Sequence, residues 1–365
     1  MNDKYYMKKC FKEAKKAKGL TLTNPLVGAV LVKDGRIISK GYHKGYGKDH
    51  AEVDCFKNLK EDPTGAVLYV NLEPCSHYGK KGPCTEEIIK RNIKKVVISN
   101  IDTNPKVDGL KILKDKGIEV KTGVLAKEGL KLNEKFFFNQ KYQRPLVSLK
   151  YAQTLDGKIA TASNDSKWIS NEFSRDYVHK LRSEYDGILV GKNTLLNDNP
   201  SLNSRIERGV DPVRIILDSN LSIEKTYKDY KIFNLSSDKK TYIASLKDSK
   251  DPNLNIIKCK EKDGKIDLKD LLDKLYKMNI SSLLVEGGAN VNYSFLKENL
   301  VDKIYEFISS KIIGGFKSKS PFYGKGADKI KDGYDFQIEN VERFDTDLMI
   351  EAKNVYWNIW RVRSG

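Results

Sequence analysis

The sequence predicts two α/β domains in tandem, and three observations carry that expectation. At 365 residues the chain is too long for one ordinary core. Apolar runs of strand length alternate with amphipathic helical stretches along nearly all of it. A mixed segment, Phe136-Phe137-Phe138 followed by polar Asn139–Arg144 and Pro145, interrupts the alternation. The expected domains are therefore residues 1–144 and 145–365.

In the first half, Tyr6, Cys10, Ala14 and Ala17 repeat at helical spacing over residues 4–18. Val27–Val32 and Ile37-Ile38 flank Asp34-Gly35, which predicts a β-hairpin. A helix follows over about Ala51–Leu59, with Cys55 on its buried face. Ala66–Leu72 reads as a strand. Pro83 suits the first turn of a helix through Ile88 and Ile89. Lys95–Ser99 is a strand, Leu110–Lys116 a short helix and Ile118–Val120 a strand. This order predicts a sheet covered by helices on both faces. In the second half, strands are expected at Leu146–Tyr151, Gly187–Val190, Val213–Leu217, Thr241–Ala244, Ile256–Lys258, Ser282–Val285 and Lys303–Ile308. A further strand pairing around Asp347–Ala352 would close the domain. No internal repeat or low-complexity linker is present.

Hydrophobic residues make up 39% of the chain and charged ones 32%, which is enough apolar matter for globular cores under a solvated surface. No apolar run approaches the roughly 18 residues of a spanning helix, and the start Met1-Asn2-Asp3-Lys4 lacks a signal-peptide core. A cytoplasmic protein without membrane association is expected. The net charge of +17 comes mostly from dispersed Lys. Such a field suits small phosphorylated substrates better than a nucleic-acid partner. The five cysteines do not form a disulfide framework. Cys10, Cys55 and Cys259 read as core filler, whereas Cys75 and Cys84 stand in a Gly/Pro-punctuated loop.

The strongest chemical signal is His50-Ala51-Glu52, followed by Pro74-Cys75 and then Cys84. Catalytic zinc takes three protein ligands and keeps a fourth position for water. His50, Cys75 and Cys84 supply those three. Glu52 would face the open position as a proton shuttle, an arrangement that matches the signature of zinc-dependent base deaminases. Zinc lowers the pKa of its water towards neutrality, and two helix starts, at His50 and Cys84, favour negative charge there. One departure is plain: Ser76 to Pro83 separates the cysteines, where the compact motif has two residues. Cys75 must then come from the loop, with Gly79 and Gly82 letting the chain double back. A non-catalytic zinc staple is the alternative use of the same ligands.

These residues resemble the bifunctional deaminase–reductase family of riboflavin biosynthesis. The resemblance rests on Asn24-Pro25-Leu26-Val27-Gly28, His50-Ala51-Glu52, Pro74-Cys75-Ser76-His77-Tyr78-Gly79 and Pro83-Cys84 in the first half. In the second half it rests on Leu149–Lys158, Ser166-Lys167-Trp168-Ile169, Asp198–Leu202 and Val285-Glu286-Gly287-Gly288. It covers roughly residues 2–360, and the long inter-cysteine loop is the family's own spacing. It implies a cytidine-deaminase-like three-layer α/β/α domain followed by a dihydrofolate-reductase-like α/β domain. It also implies zinc, NADPH and a homodimer. The implied reaction is deamination of 2,5-diamino-6-(5-phosphoribosylamino)pyrimidin-4(3H)-one, then reduction of its ribosyl group to ribityl.

By the same resemblance, Asn24 and His77 would touch the substrate in the deaminase half; a plain turn and a braced loop are their structural alternatives. The cofactor would meet Ala152, Trp168, Thr194, Asp198, Ser219, Gly288, Ala289, Asn290, Val291, Asn292, Tyr293 and Ser294. The reductase substrate would meet Lys150, Ser166, Arg182, Leu202, Arg205 and Glu286. Read physically, no Gly-x-Gly-x-x-Gly turn is present, so a dinucleotide would not be held in Rossmann fashion. Instead Leu283–Glu286 runs through Gly287-Gly288 into a helix from Ala289 to about Leu296, whose free N–H groups suit phosphate. Arg182 and Arg205 suit bidentate phosphate contacts. Lys150 and Asp156 flank the site, where a surface salt pair is an equal explanation. His43 is a weaker candidate, and His179 reads as a surface helical residue. Leu217–Ser222 carries no Arg for a 2′-phosphate. Asn104–Gly109 runs directly into Leu110, a short approach to its helix. Two other functions remain in competition: a nucleic-acid or nucleoside deaminase, and a non-enzymatic scaffold with a structural zinc.

Overall fold

The computed structural model describes residues 2–78, 82–207, 209–237 and 239–355. The chain divides at Gln143/Arg144 into two compact units.

In the first unit the helices are α1 (Asp3–Ala14), α2 (Ala51–Lys57), α3 (Cys84–Lys90), α4 (Gly109–Asp115), α5 (Ala126–Leu132) and α6 (Glu134–Tyr142). The strands are β1 (Gly28–Lys33), β2 (Arg36–Tyr42), β3 (Val67–Leu72), β4 (Lys95–Asn100) and β5 (Glu119–Lys121). They form one sheet in the order β2-β1-β3-β4-β5. The expected hairpin is present, with Asp34 at φ 49° and Gly35 at φ 76° in its turn, both in the left-handed region that such turns require. β3 is buried along its whole length, because successive side chains enter different layers. Leu68 and Val70 pack with Cys55, Phe56, Ile88 and Leu113 of α2–α4. Val67 and Tyr69 pack with Tyr6, Met7, Cys10 and Phe11 of α1. That is the three-layer α/β/α arrangement.

The segment from Asn133 to Arg144, mixed in sequence and given no element there, is mostly α6, with Phe137 and Phe138 buried. Asn133 at its start reaches back to Leu26, accepting from its N–H at 2.8 Å and donating to its carbonyl at 3.0 Å.

The second unit carries strands β6 (Leu146–Gln153), β7 (Gly187–Gly191), β8 (Val213–Leu217), β9 (Thr241–Ser245), β10 (Asn255–Lys258), β11 (Glu261–Lys262), β12 (Lys265–Ile266), β13 (Ser282–Val285), β14 (Lys303–Ile308), β15 (Phe336–Phe344) and β16 (Asp347–Asn354). Its α-helices are α7 (Glu172–Arg182), α8 (Lys192–Asp198), α9 (Leu268–Lys277) and α10 (Ala289–Lys297). The main sheet runs β10-β9-β8-β7-β13-β6-β14-β16-β15, and β11 pairs with β12 apart from it. The strands from β10 to β14 are parallel, and β16 and β15 are antiparallel additions at one edge. α9 and α10 cover one face through Leu271, Leu275 and Phe295. α7 and α8 cover the other through Val178, Leu181 and Leu195. The hairpin partner β15 was not expected from sequence. It is exposed along most of its length and so lacks the one-sided alternation that reveals a strand. Among the described residues, no helix is long and apolar enough to cross a membrane.

Candidate functional site

In the first unit three backbone features converge on one point. β2 leads through His43 to His50, which caps α2 in extended geometry. β3 ends at Leu72 and delivers Cys75. Pro83 caps α3, so Cys84 is that helix's first residue, in the position where a proline just before the first turn is well tolerated. His50 Nδ1 lies 3.4 Å from Cys75 Sγ and 3.3 Å from Cys84 Sγ. The backbone N–H of Cys84 donates to Cys75 Sγ at 3.3 Å. All three candidate ligand atoms lie within 4.8 Å of one another. A zinc tetrahedron with bonds of about 2.0 Å to nitrogen and 2.3 Å to sulfur sets N and S about 3.5 Å apart, so this donor set fits zinc. Gly79 lies outside the described residues, and His77 stands exposed on the loop between the cysteines.

The electrostatics follow from this crowding. Hydrogen bonding to Cys75 pushes the His50 imidazole up to about 9 against the cost of burial. The hydrogen bond from Cys84, with those from His50 and the Cys84 backbone, brings Cys75 down to about 4. Cys84 is pushed up by its bond to Cys75 and by burial. Glu52 is 3% exposed, and its carboxyl is raised by burial and then by the charge of Cys75, with a Cys84 hydrogen bond opposing. A buried, readily protonated carboxyl beside the donor trio is what a proton shuttle requires.

Several side chains support this trio, and of these Asn71 and Glu73 carry no signal in the sequence. His43 is buried with its ring edge-to-face on His50 at 5.7 Å between centroids. Its Nδ1 lies 2.9 Å from the Asp49 carbonyl and its Nε2 lies 3.2 Å from Asn24 Nδ2. Asn24 is thus tied to the zinc-ligand candidates through a histidine. Asn71 accepts from Gly28 N–H at 2.7 Å and donates to the Leu26 carbonyl at 2.9 Å. Glu73 accepts from the N–H groups of Asp102 and Leu110. The short approach to α4 has a steric reason. A Cβ on Gly109 would sit 2.2 Å from the Pro74 carbonyl oxygen, so only glycine lets α4 reach the cysteine loop.

In the second unit, most of the candidates follow the carboxyl ends of neighbouring parallel strands, where α/β sheets bind ligands. Ala152 is the penultimate residue of β6, Thr194 and Asp198 lie on α8 after β7, Ser219 follows β8, and Gly288 caps α10 after β13. Ser166 donates to Asp198 at 3.4 Å, which joins the β6 loop to α8. Trp168 is 65% exposed, with Arg175 over its ring at 4.7 Å. A Cβ on Gly287 would strike Val291 at 2.7 Å. No side chain caps the start of α10, and Thr194 Oγ1 stands 3.7 Å from where a Gly288 Cβ would lie. This open, side-chain-poor turn fits a nucleotide phosphate.

Some expectations need correction. Lys150 does not form a surface pair with Asp156: its side chain is 15% exposed and lies 3.9 Å from Glu286. Asp156 instead binds Thr154 and backbone N–H groups. The Arg182 fork is already engaged, donating to both Glu286 oxygens at 2.7 and 2.9 Å. Burial alone would raise Glu286, but Arg182 and then Lys150 hold it down to about 2. His179 is half-buried, with Nδ1 3.3 Å from the Asn203 carbonyl. Leu202 is buried, whereas Arg205 is exposed and donates to Asn203 Oδ1 at 3.2 Å. Within the α10 stretch, Ala289 is buried and Asn290 exposed. Asn292 is buried with its amide on the Pro321 carbonyl at 3.1 Å. Tyr293 accepts from Gly326 N–H at 3.1 Å, and Ser294 donates to the Asn290 carbonyl at 2.8 Å. These bonds of Asn292, Tyr293 and Ser294 brace the helix.

Residues 145–350 match the model of the RibD C-terminal domain, and residues 1–100 match the zinc-binding region of cytidine and deoxycytidylate deaminases. The chain is 40% identical over 360 residues to the riboflavin biosynthesis protein RibD of Actinobacillus pleuropneumoniae, covering 96% of this chain and 95% of that protein. The chain belongs to the RibD family. The RibD of Aquifex aeolicus is 41% identical, with 96% and 98% coverage. The structure of a diaminohydroxyphosphoribosylaminopyrimidine deaminase/5-amino-6-(5-phosphoribosylamino)uracil reductase from Thermotoga maritima superposes with a TM-score of 0.87 at 38% identity, covering 96% of this chain and 98% of that one. The family resemblance read from the motifs, and the two fold types it implied, are borne out. The protein is an enzyme of riboflavin biosynthesis, a zinc-dependent type of deaminase joined to a reductase, acting on a small molecule.

Proposed function

We propose that the first domain deaminates 2,5-diamino-6-(5-phosphoribosylamino)pyrimidin-4(3H)-one, and that the second reduces the ribosyl group of the product to ribityl with NADPH. The observation that carries this reading is the convergence of His50, Cys75 and Cys84 with Glu52 buried behind them, in a chain that also carries a reductase domain.

His50, Cys75 and Cys84 would hold the zinc, which when bound supplies the Lewis acidity that makes water nucleophilic near neutral pH. Glu52 would take a proton from the attacking water and pass it to the ring nitrogen. It would then carry a proton to the leaving amine, so that ammonia departs and a carbonyl remains. Asn24, held by His43, would orient the pyrimidine, and His77 would meet the phosphoribosyl arm.

In the second domain NADPH, when bound, supplies the hydride. The start of α10 from Gly288, with Thr194 and Ser219, would receive its phosphates; Ala152, Trp168 and Asp198 would border the nicotinamide half. Ser166 and exposed Arg205 would hold the substrate phosphate, with the Leu202 backbone beside them. The Lys150–Glu286–Arg182 cluster would face the sugar, where one hydride reaches its first carbon and one proton its ring oxygen.

A cytoplasmic homodimer completes the proposal. All five cysteines are free, which suits a reducing compartment. β15 is an edge strand exposing Ile338 and Val341, a surface that proteins usually cover. The test is zinc analysis with ammonia release and NADPH oxidation followed on one preparation given the diaminopyrimidine phosphate. Ammonia and NADPH turnover both coupled to zinc-loaded protein support the reading; turnover of neither overturns it.

A further inference from the structure

Between β14 and β15 the chain runs from Ser309 to Asp335 with only one 3-10 turn, Ile330–Asp332. Irregular connections this long inside a compact domain are generally functional or disordered. This one is tied down at both sides of the carboxyl ends of β6 and β13. On the β6 side, the Leu155 N–H donates to the Lys311 carbonyl at 2.7 Å, and the Lys311 amine donates to the Trp168 carbonyl. Ile159 and Ala160 exchange backbone bonds with Lys319 at 2.8 and 3.1 Å. On the β13 side, Asn292 donates to the Pro321 carbonyl, and Tyr323 N–H donates to the Ala289 carbonyl at 3.2 Å. The Tyr293 hydroxyl accepts from Gly326, and its ring fills the place a Gly324 side chain would need.

One side chain closes this strap from below. Asp156 accepts from the N–H groups of Ile313 at 3.2 Å and Gly314 at 2.8 Å, one on each carboxylate oxygen. The Thr154 hydroxyl, 2.5 Å away, holds the carboxylate in place. Two parallel N–H donors on one carboxylate form a charge-assisted pair that fixes backbone direction.

We propose that Asp156 is a positioning residue for the cofactor. It sets the strap 311–326, which links the Trp168 loop to the first turn of α10 and so holds the two sides of the NADPH site in register. This inference rests on the reading of the second domain as the NADPH site. Asp156 touches neither the cofactor nor the reacting atoms; it acts through Ile313, Gly314 and, beyond them, Trp168 and Ala289.

The test compares full-length zinc-loaded wild type with Asp156→Ala and the near-isosteric Asp156→Asn. NADP+ binding is measured by titration calorimetry, and cleavage at Lys317, Lys319 and Lys325 by limited trypsin digestion with and without NADP+. Losing one charge-assisted bond's worth of organisation should weaken NADP+ binding about tenfold in Asp156→Ala. Strap cleavage should be several-fold faster and no longer slowed by NADP+, with ammonia release unchanged. Asp156→Asn, which keeps one acceptor, should fall between the two and serves as the deciding variant if the alanine form does not fold. Wild-type NADP+ affinity with fast strap cleavage, or unaltered cleavage, overturns the role of Asp156. Failure of the wild type itself to bind NADP+ instead overturns the cofactor reading on which it rests.

Discussion

Replacing Arg182 by leucine isolates the energetics of the buried charge cluster in the reductase domain. Arg182 and Glu286 are 13% and 11% exposed along their side chains, so solvent screens the pair only weakly. A free glutamate titrates near 4.3, and Glu286 is held at about 2, a gap worth about 3 kcal/mol. Because the folded value is the lower one, this stabilisation is complete above about pH 4.5 and is lost as the pH falls towards 2. Arg182→Leu leaves Lys150, 3.9 Å away, and the weaker influence of His179 to answer the carboxylate. The expected loss at pH 7 is about 2–3 kcal/mol, or roughly 5–10 °C in the melting of a domain this size. Urea denaturation of the full chain measures it, with the reductase transition recognised by its shift with NADP+. The double replacement Arg182→Leu/Glu286→Leu should return to within about 1 kcal/mol of wild type, since burial already lowers the Lys150 amine and favours its neutral form. A single-variant loss below about 0.5 kcal/mol, or a loss that does not shrink below about pH 4, would refute the argument that charge in a dry site is its source.

Glu52→Gln should reduce ammonia release by a factor of about 100 or more while zinc content and reduction of the deaminated pyrimidine stay intact; loss of zinc would make Glu52 a ligand instead. Asn133→Ala strands the Leu26 N–H and carbonyl in the interior. It should cost about 2–3 kcal/mol in the deaminase transition and raise the KM of deamination through Asn24, as paired denaturation and initial-rate measurements would reveal. Arg205→Ala should raise the substrate KM of the reductase step several-fold and leave deamination unchanged; equal damage to both steps would contradict the assignment of Arg205 to one domain's substrate.

Much of the site was legible because its chemistry is local in sequence. His50 and Glu52 lie on one turn, and each cysteine is announced by its own proline. Strands such as β3 and β13 were legible because continuous Val/Leu runs have few alternatives. The supports were not. Asn71, Asn133 and Glu73 act by bonding to backbone groups far along the chain, the first two at Leu26 and Gly28, and nothing in their own neighbourhoods signals it. Helix α6 was hidden because three consecutive phenylalanines have no 3.6-residue period, and only Phe137 and Phe138 turn inward. Arg182 was read as a phosphate clamp because a sequence shows a guanidinium but not its partner. Asp156 looked like half of a salt bridge for the same reason, whereas it holds main-chain N–H groups more than 150 residues away.

Zinc X-ray absorption on the full-length enzyme reads the His50–Cys75–Cys84 centre itself. The expected result is one zinc per chain with two sulfur neighbours near 2.3 Å, one imidazole nitrogen and one further light atom from solvent, and a sulfur count that falls in Cys84→Ser. A zinc shell without sulfur, or one filled by four protein ligands with no exchangeable solvent position, would contradict it.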